Sequence, residues 1–558
     1  MKQKIKSSIS ESRLGLIKKW GGLLVLSLAL AIIIIDTTLL NVSLGPIIKD
    51  LDTNLQGIQW VITLYALVLA SFTIFGGRLG DLFGRRKMFI LGAIIFAFGS
   101  FLASISHGLP LMIAGEAIIE GFGAALMMPA TASLLLATFK GRERAIAFGV
   151  WGGVAGAASA VGPILGGWLT TTYSWRWGFR INIFVALLVL IGALLFLKES
   201  RDTKEKKQLD GIGILLSSTG LFAIVFGIIE SATYGWWMAK GVFTLFSTSY
   251  PMPFGLSITP VAVILGLTLL AIFVWYERRH EARGKTPLVS IRIFRNWQFS
   301  SGLLTLMVMS LSLTGLIFAL PVYFQAVRGQ DALHTGYSLL PLSISLFIAS
   351  PFAIMLTKFM TPKRIIQLGL GLTIAGIFLI SRGITVDGTT PALLWGLILF
   401  GVAMGFVQSQ INNLTLSAVS VQQAGEASGI SGTARQLGSS FGSAVIGAVV
   451  LATLTASLAT GITNSSVIPV VAKDKISQAV AAQSSATEFG TSPQLGAGVP
   501  VQIVKEIKTI TSTAVVDGVK RGLDFALVFA FISFFVALGL PNVKNLESEK
   551  GESPVAAH

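Results

Sequence analysis

Long apolar segments recur along almost the whole chain and limit its fold more than any other feature of the sequence. A helix rises ~1.5 Å per residue, so about 20 apolar residues cross the ~30 Å hydrocarbon core of a bilayer. The stretch "LLVLSLALAIIII" is apolar on every side, whereas strands of a membrane barrel alternate. The sequence therefore predicts an all-α polytopic membrane protein. We place fourteen spans, at about residues 21–44, 57–80, 88–106, 109–136, 145–170, 177–197, 210–231, 257–276, 299–324, 335–356, 364–381, 391–412, 427–451 and 522–540.

The composition is typical of a membrane protein. Hydrophobic residues make up 53% of the chain and charged residues only 12%, whereas soluble domains carry about 25% charged residues. Cysteine is absent and the four histidines are scattered at 107, 280, 334 and 558. We therefore expect no disulfide, no metal centre and no cofactor.

Lysine and arginine concentrate in alternate short loops. They follow the even-numbered spans and also fill the amino terminus. By the positive-inside rule this side is cytoplasmic, so we expect a multi-pass plasma-membrane protein with both termini in the cytoplasm. Topology and anionic lipid then explain the net charge of +16, and no nucleic-acid partner is needed.

Three connections are longer than the others. Residues 198–209 and 277–298 read as basic linkers at the cytoplasmic surface. Residues 452–521 lie outside, and apolar spacing in "KDKISQAVAAQSSATEF" and "VQIVKEIKTI" predicts helices over or beside the outer face. Both a mobile surface loop and a functional lid are compatible with this segment.

The loop after the second span, "GGRLGDLFGRRKMFILG", combines glycines that let helix ends approach, one acid and three cations. It resembles the signature loop of the major facilitator superfamily. In that family the acid and the arginine lock two helix bundles together while the transporter is open outward. The resemblance implies a gating role for Gly77, Asp81, Gly84, Arg85 and Arg86; a cluster that only sets topology is the alternative.

Span five resembles the antiporter signature of the same superfamily, with Ala158 where a glycine is usual. Small residues allow close helix packing and a proline allows a bend, so such a helix is a hinge or a seal. Simple packing is the alternative, and only the motif carries the antiport interpretation. The matching residues are Gly149, Gly162, Pro163, Gly166 and Gly167.

Further stretches, including "DTTLLNVSL", "SWRWGFRIN" and "GEASGISGTARQLGSSFG", are similar to the fourteen-span drug:proton antiporter branch. The resemblance implies the major facilitator fold: two six-helix bundles of inverted repeats plus two inserted helices. The implied division is 1–200 for the amino-terminal bundle, 201–298 for the inserted helices and linkers, 299–541 for the carboxy-terminal bundle with the extracellular segment 452–521, and 542–558 for a cytoplasmic tail.

Three acids stand at similar depth in apolar spans: Asp36 in span one, and Glu116 and Glu120 in span four. The two glutamates share a helix face and should point to a central cavity or to span one, because lipid is costly for a charge. Ala117 stands where this branch normally has an arginine. Without that cation, like charges and desolvation favour protonated carboxyls, so we predict a proton-coupling site. Hydrogen-bonding glue, or direct attraction of cationic substrates, are the alternatives.

Two further sets of residues are candidates. Arg435 lies near Gln408, Gln410 and Asn412, and a structural tie is as compatible with it as a coupling role. Candidates for lining a substrate cavity are Asn41, Trp60, Tyr65, Phe324 and Gln325.

The predicted function is a proton-coupled antiporter that exports amphiphilic, cationic drugs or other toxic compounds by alternating access, as a monomer driven by the proton gradient. No nucleotide-binding loop, HExxH motif or catalytic triad is present, so we expect no enzyme. A lipid or metabolite exporter of the same fold and a proton-coupled uptake symporter are the alternatives.

Overall fold

The computed structural model describes residues 2–53, 55–201, 210–239, 241–245, 248–250, 253–285, 287–330, 332–386, 391–469, 473 and 501–542. The tail beyond residue 542 and all but the first residue of "KDKISQAVAAQSSATEF" lie outside these residues. Asn41 lies in a described helix, but its side chain is outside the described part.

The first part of the chain is helical apart from short connections. Its helices are α1 (Lys2–Val42), α2 (Leu44–Asp50), α3 (Leu55–Phe83), α4 (Arg85–Ser104), α5 (Leu109–Met112), a π-helical segment (Ile113–Glu120), α6 (Gly121–Thr138), α7 (Gly141–Thr172), α8 (Arg176–Phe196), α9 (Gly211–Tyr234) and α10 (Ile258–Ala282). Between α9 and α10 lies a short antiparallel hairpin of β1 (Phe243–Leu245) and β2 (Thr248–Tyr250), with Phe243 opposite Tyr250.

The second part is built the same way. Its helices are α11 (Trp297–Ala326), α12 (Ala332–Leu356), α13 (Pro362–Gly383), α14 (Pro391–Leu416), α15 (Ala424–Asn464) and α16 (Val501–Leu538), with short 3-10 turns at Pro253–Gly255, Ile291–Arg295 and Val421–Gln423.

Fourteen helices among the described residues are long and apolar enough to cross a membrane. This confirms the predicted all-α, fourteen-span fold. The helices pack into two large apolar clusters, one drawn mainly from α1 to α8 and the other from α11 to α16. We call these groups the first and second halves; the exact domain limits stay a prediction.

The last two spans are longer than predicted. In the described part of 452–521, α15 runs on to Asn464 and α16 begins at Val501, and the two helices pack on each other. Ser465 Oγ donates to Glu506 Oε1 at 2.8 Å and Ile462 and Ile507 are buried. The stretch "VQIVKEIKTI" is helical, as its apolar spacing predicts, and forms the first part of α16.

Two seams join the halves. α3 packs on α15, and α7 packs on α12 and α14. The inserted helices α9 and α10 pack on each other, and α9 also covers α3 and α15, with Ser218 Oγ donating to the Ser71 carbonyl at 3.0 Å. The inserted pair therefore lies beside the first seam.

Candidate functional site

Three carboxyl groups converge inside the first half. Asp36 comes from α1, and Glu116 and Glu120 come from the π-helical segment. Each offers an oxygen within 4.8 Å of an oxygen of both others, and none is more than 1% exposed. We call these three groups the carboxyl site; the structure brings together the acids that the sequence singled out.

The segment that carries both glutamates is π-helical, where the sequence predicts an ordinary α-helix. It packs closely on α4: a Cβ at Gly115 would lie 2.8 Å from the Ala103 nitrogen, and one at Gly99 would lie 2.7 Å from the Glu120 Cα. Such segments are rare and occur frequently at functional sites. The close approach brings α4 side chains within reach of Glu120.

Two polar side chains hold the carboxyl site. Asn182 of α8 donates through Nδ2 to Asp36 Oδ1 at 2.6 Å and to Glu120 Oε1 at 3.2 Å. Ser100 of α4 donates to Glu120 Oε1 at 2.6 Å. Neither residue was predicted as part of the site. The sequence feature that could have identified Asn182 is its amide side chain in an apolar span, because a buried amide needs a hydrogen-bond partner.

The three carboxyls have no cation beside them in the part of the chain that the structure describes. Their oxygens lie within 4.8 Å of one another, and like charges so close together and away from water repel, so protonation of the site stabilises it. None of the ion pairs among the described residues involves these groups, and the small Ala117 is buried beside them.

Of the predicted cavity residues, Tyr65 lies nearest to this site. Its side chain is 4% exposed, is within electrostatic range of all three carboxyls, and its hydroxyl has no hydrogen-bond partner among the described residues. Trp60 stacks on Phe226 of α9, with ring centroids 6.2 Å apart. Phe324 is 1% exposed in the core of the second half, and Gln325 is half-buried at the end of α11. A role in a cavity stays a prediction for all of them.

Asp81 and Arg85 form a buried ion pair that also reaches the second half. Arg85 Nη2 donates to Asp81 Oδ1 at 2.7 Å and to the Val421 carbonyl at 2.6 Å. Asp81 accepts from the backbone N–H groups of Gly425 and Glu426 at 3.0 and 2.8 Å. These N–H groups begin α15, where a helix has unpaired donors and a positive dipole end. We call this set of contacts the latch; it closes the halves on the face of the loop that follows α3.

The other predicted gating residues support the latch from different sides. Gly77 lies so close to α15 that a Cβ would lie 3.4 Å from the Gly429 Cα and in contact with Gly425. Gly84 has φ +117°, which favours glycine. Arg86 donates to the carbonyls of Ala193 and Leu194 at 3.2 and 3.0 Å, so it ties the loop to α8 within the first half.

The antiporter-like residues make α7 a thin helix between α1 and the second half. A Cβ at Gly162 would lie 2.9 Å from Thr38 Cβ, and one at Gly149 would lie 3.1 Å from Ile354 Cγ1 of α12. Pro163 lies inside the helix. Similar close packing joins Gly166 to α1, and Gly167 is buried. One helix therefore contacts both α12 of the second half and Thr38 of α1, two residues from Asp36.

Arg435 ties three helices. Its Nη2 donates to Asn412 Oδ1 of α14 at 3.0 Å, and its guanidinium lies 5.6 Å from the centroid of the Trp151 ring of α7. This geometry is the predicted tie between spans twelve and thirteen. A coupling role stays a prediction.

On the face opposite the latch, Asp50 binds the start of α8. Arg176 Nη1 and Trp175 Nε1 donate to Asp50 Oδ2, the latter at 3.1 Å, and Arg176 Nη2 donates to the Ser106 carbonyl at 2.7 Å. The hydrogen bond from Arg176 is the main cause that lowers the pKa of Asp50 below its usual value. This contact holds the outer ends of the first-half helices.

Comparison with known proteins gives a consistent picture. Residues 26–443 match the family model described as Major Facilitator Superfamily. The tetracenomycin C resistance and export protein of Streptomyces glaucescens is 28% identical over 540 residues, which cover 97% of this chain and 95% of that protein.

Two shorter matches are similar in kind. The puromycin resistance protein pur8 of Streptomyces alboniger is 30% identical, covering 77% of this chain and 82% of that protein. The multidrug resistance protein Stp of Mycobacterium tuberculosis is 28% identical, covering 78% and 76%. The crystal structure of the human organic anion transporter MFSD10 covers 93% of this chain and 99% of its own, with a TM-score of 0.56 and 12% identity, which supports the fold alone.

Proposed function

Since the chain belongs to the Major Facilitator Superfamily, we propose that it is a proton-coupled antiporter that exports amphiphilic, cationic compounds by alternating access. The observation that carries this proposal is the carboxyl site: three buried acids, with oxygens within 4.8 Å of one another and with no ion-pair partner among the described residues. Relatives named for resistance and export favour the outward direction.

The carboxyl site suits exchange because protons and a cationic substrate can bind to the same carboxyl groups. When protons leave, the carboxyls carry more negative charge in a low dielectric, and a cationic substrate offsets it. When the substrate leaves, protons return for the same reason. Binding in exclusive states lets the inward proton gradient, worth ~2.3 kcal/mol per charge per 100 mV, drive export.

Alternating access needs a gate as well as a site. The latch closes the halves on one face, and the positive-inside rule makes that face cytoplasmic. We propose that this conformation is the outward-facing one, in the plasma membrane, with both termini in the cytoplasm and the monomer as the working unit. Close packing of α7 on α1 then links opening of the halves to Asp36.

The test is transport in proteoliposomes with an imposed pH gradient and the lipophilic cation tetraphenylphosphonium as the probe. We expect movement of the probe against the proton flow, and loss of this driven transport in Asp36→Asn. The matched control is Glu230→Gln, which neutralises a buried acid of α9 outside the carboxyl site. Driven transport by Asp36→Asn at the wild-type rate would remove the proton-coupling assignment.

A further inference from the structure

The connection from the inserted helices to the second half passes directly beside the latch. After α10, residues 287–290 run into the 3-10 turn before α11. Leu288 and Val289 are 1% and 2% exposed and belong to an apolar cluster that combines first-half residues with Ala424 and Ala427 of α15. We call residues 287–290 the strap; such burial is unusual for a connection, because connecting segments generally lie on the surface.

Two buried glutamates hold the strap by alternate backbone amides. The Leu288 N–H donates to Glu277 Oε2 of α10 at 3.1 Å, and the Ser290 N–H donates to Glu426 Oε1 of α15 at 2.6 Å. Glu277 is fully buried and Glu426 is 3% exposed. A buried N–H that loses its acceptor costs free energy, so these contacts fix the strap.

Each glutamate also belongs to a second set of contacts. Glu277 is hydrogen-bonded to Asp210, which caps α9 by accepting from the Gly213 N–H at 2.9 Å and from the Tyr276 hydroxyl at 3.1 Å. The backbone N–H of Glu426 donates to Asp81 of the latch. The inserted helices, the strap and the latch therefore form one continuous chain of hydrogen bonds.

This chain opposes opening of the latch. When the halves separate on this face, the start of α15 moves away from α3 and takes Glu426 with it. If the strap stays with α10, the Ser290–Glu426 bond breaks; if it moves with α15, the Leu288–Glu277 bond breaks. Either loss costs free energy, so the strap favours the closed face.

We propose that Glu277 and Glu426 are positioning residues of the transport cycle: through the strap they couple the inserted helix pair to the latch and stabilise its closed state. This inference rests on the proposed alternating access, and it gives the two inserted helices a role in it. Neither glutamate contacts the carboxyl site, so the role proposed here does not involve proton coupling.

The test measures the latch directly. The chain contains no cysteine, so Lys87→Cys and Gln422→Cys place two unique spin labels on exposed positions across the latch. Their distance distribution is recorded by pulsed electron spin resonance. Ser290→Pro is the sharpest perturbation, because Ser290 already has φ −71° and proline removes only the N–H that binds Glu426.

We expect Ser290→Pro and Glu277→Ala to lengthen the label distance, with the ratio of closed to open molecules falling about tenfold. Glu277→Gln, which keeps an acceptor for Leu288, should restore the short distance. The matched controls are Ser290→Ala, which keeps the N–H, and Glu281→Ala, which breaks the surface ion pair with Arg292.

A wild-type distance in both Ser290→Pro and Glu277→Ala overturns the inference, as does equal lengthening in the controls. If Glu277→Ala does not fold, Ser290→Pro decides alone. The proposed function fails by a different result, driven transport in Asp36→Asn, which leaves these distances unchanged.

Discussion

The substitution Asp81→Asn distinguishes the contacts that keep the latch closed from the contacts that stabilise the fold. The ion pair between Asp81 and Arg85 lies within the first half, so it persists when the halves separate. Breaking a buried pair by removing one partner costs ~3–5 kcal/mol, but this cost falls on the open and closed states alike. It lowers the free energy of unfolding and leaves the gate equilibrium alone.

The bonds from Asp81 to Gly425 and Glu426 exist only in the closed state. Asparagine keeps one acceptor oxygen and no charge, so one of the two bonds is lost and the other loses its charge assistance. At ~1.5–3 kcal/mol for a hydrogen bond to a charged group, the closed state loses about 10- to 100-fold in population. We expect driven transport to fall by at least about tenfold, since the cycle must pass through the closed face.

The assay combines initial rates of tetraphenylphosphonium transport in proteoliposomes with thermal unfolding in detergent. Asp517→Asn, a change at an exposed residue of α16 far from the latch, is the control. Loss of stability without any change in transport rate would show that Asp81 serves the fold only, and the latch assignment would be withdrawn.

Three further outcomes are expected. Asn182→Leu removes both amide bonds to the carboxyl site and should abolish substrate-induced proton release while the protein still inserts; release equal to wild type would exclude a role for the amide. Gly162→Val forces a side chain against Thr38 and should cost ~1–3 kcal/mol in unfolding and slow transport, whereas unchanged values would mean that α7 and α1 separate freely. Because the pKa of Asp50 is lowered, its bond to Arg176 should stabilise the fold above pH ~4 and lose this effect as pH falls through the lowered pKa. The melting temperatures of wild type and Asp50→Asn should therefore differ at pH 7 and converge in acid. A constant difference would contradict this.

Hydropathy was sufficient to predict the fourteen apolar helices, because a bilayer demands apolar helices of set length, whereas the major facilitator fold came from the resemblance of the motifs. The same reasoning found the three acids, because a carboxyl group in an apolar span is costly and therefore indicates a functional site. It did not find the π-helical segment at Ile113–Glu120, because the choice between α and π geometry depends on how closely α4 packs against Gly115.

Partners contributed by distant segments were also beyond prediction. Asn182 stands 146 residues from Asp36, and Ser290 stands 136 residues from Glu426. An amide in an apolar span marks Asn182 as needing a partner, and Ser290 is ordinary for its loop, but only the fold brings each to its carboxyl group. The helices α15 and α16 extend beyond the predicted spans, because apolar spacing alone does not say where a helix ends.

The most direct measurement counts protons released when substrate binds to the carboxyl site. Purified protein in detergent is mixed with tetraphenylphosphonium across a range of pH, and a pH-sensitive dye reports the protons. Asp36, Glu116 and Glu120 lie buried within 4.8 Å of one another, so wild type should release protons from this site when substrate binds. The double variant Glu116→Gln/Glu120→Gln leaves one carboxyl and should release fewer protons than wild type, whereas Glu230→Gln should match wild type. Release by the double variant with the wild-type amount and pH profile would show that the two glutamates only pack the helix, and that protons are coupled elsewhere.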